Sequence, residues 1–244
     1  MSPTRCPIER HASLPSTSDR AIALAEAGQV PWYAVLAETQ TAGRGRHGRR
    51  WNSPPGNLYL SVLLDARGDV PGGLGLLAGV AIADAVAPLL PDDIALHLKW
   101  PNDLVANGRK LGGVLVEAGT RGDGAPWAVA GIGLNLVAHP DDADRPATSL
   151  AALGATPPAP DTLAEAIVDR LIGWSRRAHA EGFGAVVTAW QRRAPPHGAP
   201  ITVRLPDGPI SGRYAGLDAD GALLVALEDG RTRRIFAGEV FAGG

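Results

Sequence analysis

The chain has 244 residues, 45% of them hydrophobic, and a formal net charge of −2. That length suits one large domain or one with a small companion, and the apolar content suits a packed core. Near-neutral charge speaks against a sequence-independent nucleic-acid binder, which presents a broad basic face. The longest apolar stretch, LGLLAGVAIADAVAPLL from Leu74, is broken by Asp84 and stopped near Pro91, so it reads as a buried helix rather than a membrane span. Cys6 is the single cysteine, and the first twenty residues hold no apolar h-region. The expectation is therefore a cytoplasmic chain with no disulfide and neither nucleic acid nor membrane as partner. The six histidines are scattered and suggest no metal site.

In chain order, SDRAIALAEAG reads as a helix capped by Ser18, with Ile22, Leu24 and Ala25 on its apolar side and Gly28 at its end. WYAVLAE is a strand that runs into the basic stretch GRGRHGRRW, Gly43 to Trp51. NLYLSVLL alternates, with Leu58, Leu60, Val62 and Leu64 on one face and Tyr59 and Ser61 on the other, as in a half-buried strand. The helix from Leu74 follows. ALHLKW alternates too. In DLVANGRKLGGVLVE, the pair Asn107-Gly108 predicts a primed turn between antiparallel strands, with Lys110 just past it. WAVAGIGLNL is a further strand, and His139 to Asp161 reads as loop.

DTLAEAIVDRLIGWSRRAHAEG is a helix by its stripe Leu163, Ile167, Leu171 and Trp174, with Thr162 and Glu165 as a capping box. A shorter helix around GAVVTAWQRR follows. After APPHGAP the character changes to short strands divided by Asp207-Gly208, Asp220-Gly221 and Asp229-Gly230. The expected fold class is α+β. A mixed-sheet domain with flanking helices spans 1–195, and a small SH3-like β-barrel spans 196–244.

Two features carry chemistry. GRGRHGRRW holds four arginines and three glycines in nine residues. Glycine backbone can approach a phosphate, and arginine forks can neutralise it. The stretch lacks the ending of a P-loop and lies between strands, so on its own it is an anion-binding loop of unspecified class or a solvated turn. The second feature is lysine scarcity: 21 of the 23 basic residues are arginine, and only Lys99 and Lys110 are lysine. Lysine offers a compact, mobile ammonium that arginine cannot imitate. A basic loop, a lysine past a hairpin and a strand ending in GIGLN could surround one site. That site could take a nucleoside triphosphate together with a carboxylate that attacks the α-phosphorus.

Taken together, QTAGRGRHGRRW, KWPNDL, RKLGGVLVE and GIGLNL resemble the biotin–protein ligase family in order and spacing from Ser16 to Leu136. The C-terminal IFAGEV resembles that family's small barrel end. The resemblance implies activation of biotin by MgATP to biotinyl-5′-AMP and pyrophosphate. Biotin then passes to a lysine of a biotin carboxyl carrier protein. ATP, Mg²⁺ and biotin are the implied cofactors and substrate. Carried over residue by residue, Ser16, Thr17, Gln40, Gly43, Arg44, Gly45, Arg46, Lys110 and Gly113 would bind biotin. Arg44, Arg46, Trp51, Asn135 and Glu239 would serve ATP, with Trp51 packed at the loop base. Lys110 and Arg46 would be catalytic, and Arg44 and Arg46 would matter far more than Arg49 and Arg50, whose side chains would reach water.

Lys99, Trp100, Asn102 and Asp103 would either shape the site or touch ligand. Ser18 stands where the family commonly has asparagine and is assigned no role. Too few residues precede Ser16 for a helix-turn-helix module, which implies a ligase without a repressor function. The alternatives are a lipoate or octanoate ligase on the same fold and a nucleic-acid-binding module.

Overall fold

The computed structural model describes residues 6–66, 73–140 and 146–242. The chain begins with strand β1 (Ile8–Leu14), helix α1 (Thr17–Glu26), and strands β2 (Tyr33–Gln40) and β3 (Leu58–Leu64). Helix α2 (Gly73–Val86) and strands β4 (Leu96–Lys99), β5 (Asp103–Ala106), β6 (Arg109–Thr120) and β7 (Pro126–Leu134) follow. Helices α3 (Pro160–Glu181) and α4 (Gly184–Gln191) lead to a second set of strands: β8 (Pro200–Leu205), β9 (Gly208–Leu217), β10 (Leu223–Ala226), β11 (Thr232–Ile235) and β12 (Glu239–Ala242).

The first seven strands form one sheet in the order β1-β2-β3-β7-β6-β5-β4. β1 runs parallel to β2, and every other pair is antiparallel. β3 shows why the site has a firm base. Leu58, Leu60, Val62 and Leu64 face the main core with α2 and α3, as the alternation predicts. The opposite face is also covered: Leu63 packs with Ala21 and Ala25 of α1. Every residue of β3 is therefore buried, not half of them, because α1 closes the second face. α2 is apolar nearly all round and lies between the sheet, α3 and α4. Burying each large apolar side chain there contributes roughly 1.5–3 kcal/mol.

Local readings of polar residues fail where distant partners claim them. The N-cap of α1 is Ser16, whose Oγ accepts from the Asp19 N–H, and Ser18 instead turns inward toward Ser61. α3 starts at Pro160 with Ala159 as N-cap and no side-chain capping bond, so Thr162 lies inside the helix. Glu165 is drawn across to Arg10 of β1, together with Asp161. The stripe Leu163, Ile167 and Leu171 is buried as expected, and Trp174 donates to Asp84 at 2.8 Å. Cys6 is buried, and burial pushes its thiol up to about 12, which keeps it unreactive.

The expected boundary at 195/196 falls between the end of α4 and the start of β8. Beyond it lies a five-stranded antiparallel sheet, β11-β10-β9-β8-β12. Among the described residues no β11–β12 pairing closes it into the expected barrel. The small sheet does not stand apart. Val203, Tyr214, Leu217, Leu223 and Val225 belong to the same apolar cluster as α2. The Trp100 indole N–H donates to the Gly221 carbonyl at 3.1 Å.

Candidate active site

A cavity of about 680 Å³ opens where the N-terminus of α1, the 43–51 loop, the start of β6, the end of β7 and the small sheet converge. That volume suits an organic ligand of cofactor size. Of the residues singled out in the sequence, Ser16, Thr17, Gln40, Arg44, Gly45, Arg46, Trp51, Lys110, Gly113, Asn135 and Glu239 all line it. Gly43 does not. It closes the loop base, where a methyl group would press on the Trp51 carbonyl, Gln40 Nε2 and Ser53 Oγ.

The floor is uncharged and, apart from the half-buried Gln40, buried. The Thr17 N–H donates to Gln40 Oε1 at 2.8 Å, and Thr17 Oγ1 lies 3.2 Å from the same oxygen. Ser61 Oγ sits 2.8 Å from Thr17 Oγ1 and 3.1 Å from Ser18 Oγ. Gln40 Nε2 donates to Ser53 Oγ at 3.1 Å, and Ser53 donates to the Trp51 carbonyl. Desolvated, oriented polar groups of this kind select a ligand by its own donors and acceptors.

Lys110 forms the centre. Asn107 and Gly108 both have positive φ, 49° and 71°, as the primed turn requires. The β5–β6 register then shifts: Val105 pairs with Lys110 and Leu104 with Gly112, leaving Leu111 as an extra residue. This bulge offsets the alternation, so Lys110 and Gly113, three apart, both face the cavity. The strand is held from outside by Lys110 N–H to Pro146 O and Thr148 N–H to Lys110 O. Lys110 Nζ donates to Asp103 Oδ1 at 2.6 Å and lies 5.5 Å from the Trp51 ring centroid. Gly113 leaves room for that pair, since a methyl group there would come within 3.3 Å of Nζ.

The basic loop is a short hairpin. Gly43 and Trp51 pair through Trp51 N–H to Gly43 O, Arg44 bridges Arg50, and His47 and Gly48 turn the chain with positive φ. Its arginines reach different walls. Arg44 pairs with Asp19 of α1 at 2.5 Å and Glu117 of β6 at 3.2 Å. These acids raise its pKa, the Asp19 hydrogen bond foremost. Arg46 donates to the Gly238 carbonyl at 3.1 Å and lies 3.4 Å from Asn102 Oδ1. Arg49 grips both carboxylate oxygens of Glu239, at 2.6 and 3.2 Å. Arg49 therefore does not simply reach water: it ties the loop to the small sheet. Glu239 lines the cavity, but with its carboxylate held by Arg49.

The remaining wall comes from β7 and its continuation. Asn135 is buried and donates to the Thr148 carbonyl at 3.0 Å. A methyl group at Gly133 would collide with the Trp51 indole. Trp51 Nε1 is itself buried with no hydrogen-bond partner among the described residues. Of KWPND, Trp100, Pro101, Asn102 and Asp103 line the cavity. Lys99 points elsewhere, 5.3 Å from the Phe241 ring centroid on β12. Sequence reasoning missed Ser53, Ser61 and Asn57. Asn57 Oδ1 accepts from the N–H groups of Leu136, Val137 and Ala138 and so holds the segment after Asn135. A serine in the middle of LYLSVLL was the available signal for Ser61.

A family model described as the biotin/lipoate A/B protein ligase family matches residues 14–135. A second, for the biotin protein ligase C-terminal domain, matches residues 197–243. A Paracoccus denitrificans protein named biotin–[acetyl-CoA-carboxylase] ligase is 34% identical over 224 residues, 86% of this chain and 90% of its own length. A Mycobacterium tuberculosis protein of the same name is 36% identical over 236 residues, covering 92% and 85%. Among solved structures, the biotin protein ligase from Aquifex aeolicus in complex with biotin and ATP superposes with a TM-score of 0.83 at 27% identity, covering 97% of this chain and 99% of that one.

Proposed function

The chain belongs to the biotin/lipoate A/B protein ligase family and is an ATP-dependent biotin–protein ligase; on that premise we propose how its residues divide the work. Ser16, Thr17 and Gln40 bind the ring end of biotin on the uncharged floor. The carboxylate end then lies at Lys110, beside Gly45 and Gly113. One biotin carboxylate oxygen attacks the α-phosphorus of ATP. The new P–O bond forms as the bond to the β-phosphate oxygen breaks, leaving biotinyl-5′-AMP and pyrophosphate.

Lys110 bridges the carboxylate and the α-phosphate and meets the charge that grows on the phosphoryl oxygens. Arg44 and Arg46 meet the phosphates. Asn135 and the Trp51 indole serve the nucleotide, and Glu239 serves it by holding Arg49. In the second step the ε-amine of an acceptor lysine attacks the acyl carbon, AMP leaves, and an amide remains. The acceptor is a biotin carboxyl carrier protein of a carboxylase. Among the described residues no group of three or more His, Cys, Asp or Glu side chains gathers for a metal. Mg²⁺ enters as part of the MgATP substrate. Bound to the phosphates, it would offset their charge.

The observation that best supports this division is that Lys110, the uncharged floor residues and the arginine hairpin line one cavity. Biotin-dependent exchange of labelled pyrophosphate into ATP tests it, with lipoate as competitor. Exchange that needs biotin and ignores lipoate is expected. Exchange driven equally by lipoate, or none from well-folded protein, overturns the assignment.

A further inference from the structure

The hydroxyl groups of the floor form a chain whose direction can be worked out from one anchor. The Thr17 backbone N–H can only donate, so the Gln40 atom it meets at 2.8 Å is the carbonyl oxygen. That oxygen can only accept, so the Thr17 hydroxyl, 3.2 Å away, spends its one hydrogen on it. Thr17 Oγ1 then accepts from Ser61 at 2.8 Å, which spends the hydrogen of Ser61. Ser61 Oγ in turn accepts from Ser18 at 3.1 Å, which spends the hydrogen of Ser18. Every step is forced once the first is set.

The consequence appears at the far end. Ser18 lines the cavity, yet its hydrogen is turned inward, so it offers the cavity only lone pairs. Ser61 is fully buried and does not reach the cavity. Gly131 pins the arrangement from β7, because a methyl group there would overlap the Ser18 hydroxyl. Ser16 differs: its Oγ accepts from the Asp19 N–H, which leaves its own hydrogen to donate. The floor thus presents a donor and an acceptor side by side.

We infer that Ser18 is a specificity-determining acceptor for a ring N–H of the ligand, and that Ser61 is the positioning residue that keeps it an acceptor. The inference rests on the biotin reading, since the cyclic urea of biotin carries ring N–H groups beside a carbonyl. A ligand with a ring oxygen in place of that N–H would set lone pairs against lone pairs in a desolvated site.

The test compares biotin with the two cyclic-carbamate analogues in which one or the other ring N–H is replaced by oxygen. The readout is kcat/KM in pyrophosphate exchange, with the KM for ATP followed alongside. The wild-type chain should reject one isomer by at least about tenfold, the scale of one unmade buried hydrogen bond. Ser61→Ala should narrow that ratio to about threefold or less by improving the analogue, because the Ser18 hydrogen is released to face the ligand. Ser18→Ala should narrow it too, but by weakening biotin, and it carries the test if Ser61→Ala does not fold. The KM for ATP should not move in either variant.

Equal treatment of all three ligands by the wild-type chain overturns the inference. So does a ratio unchanged in both variants, or a parallel rise in the KM for ATP, which would mark a merely structural role. Absence of any biotin-dependent exchange in the wild-type chain would instead sink the ligase assignment itself.

Discussion

The two ends of the cavity are built on opposite principles. The floor, from the buried Thr17 and Ser61 to the half-buried Gln40, is uncharged and closed by hydrogen bonds among its own groups. The roof, from Arg44 to Arg49, is charged and largely exposed, and its ion pairs reach three different elements. A desolvated hydrogen-bond pattern discriminates between ligands because a mismatch leaves a buried group unpaired. Exposed ion pairs contribute little to stability and exchange partners easily. In the proposed function, fine recognition therefore falls to the floor. In that function the roof would trade carboxylates for phosphates, at the cost of ion pairs that add little to the fold.

The strongest way to break this division is at its centre. Lys110→Ala should lower the exchange rate by at least about two orders of magnitude, the scale for one electrostatic donor to a developing charge. Lys110→Arg should fail nearly as badly, because a planar fork cannot replace the compact ammonium that Asp103 holds at 2.6 Å. Near-normal exchange by the arginine variant would show that any cation suffices. Next comes Gly131→Ala, which drives a methyl group into the Ser18 hydroxyl. It should raise the KM for biotin by about tenfold or more while sparing that for ATP, a loss of binding confined to one substrate. Steady-state kinetics varying each substrate in turn checks it.

Arg49→Ala and Glu239→Gln should act in the opposite sense, raising the KM for ATP by roughly threefold to tenfold and leaving biotin unaffected. The double variant should be scarcely worse than either single one, because both remove the same pair. Additive losses would mean that Glu239 and Arg49 act separately. The smallest effect lies outside the cavity. The Arg20 guanidinium, with His11, holds Glu9 down at about 2 from its ordinary 4.5. A carboxylate with a depressed pKa adds stability that is present in full above about 4.5 and lost as pH falls toward 2. Denaturant midpoints of the wild-type chain and Glu9→Gln should therefore converge over that window, with the exchange activity at neutral pH unchanged.

The roof was more legible in the sequence than the floor, for a physical reason. Arginines, glycines and a rare lysine mark a candidate site by composition, with a solvated turn as the alternative, and Asn107-Gly108 states its turn in two residues. The floor is assembled from ordinary serines and a threonine. Their meaning depends on which element lies opposite. Ser18 reads locally as a helix cap, and only the passage of β3 beneath α1 turns it toward Ser61. Thr162 and Glu165 mislead in the same way, because Arg10 on a distant strand claims the carboxylate. β1 itself escaped notice: IERHASL at the sheet edge has too few buried positions to show a pattern. Arg49 was undervalued because Glu239 lies 190 residues away in sequence.

The apolar cluster shared by α2 and the small sheet has a bearing on motion. A ligase that engulfed its substrates by swinging one domain over the other would have to part that cluster and wet its faces. This chain has joined them instead, with Leu76 of α2 against Gly221 and Trp100 bonded to the same turn. The arginine hairpin, by contrast, is tied to its surroundings by separate ion pairs with Asp19, Glu117 and Glu239. Parting the two sheets would therefore expose apolar core, whereas lifting the hairpin would cost its ion pairs and the Arg46 contact with Gly238.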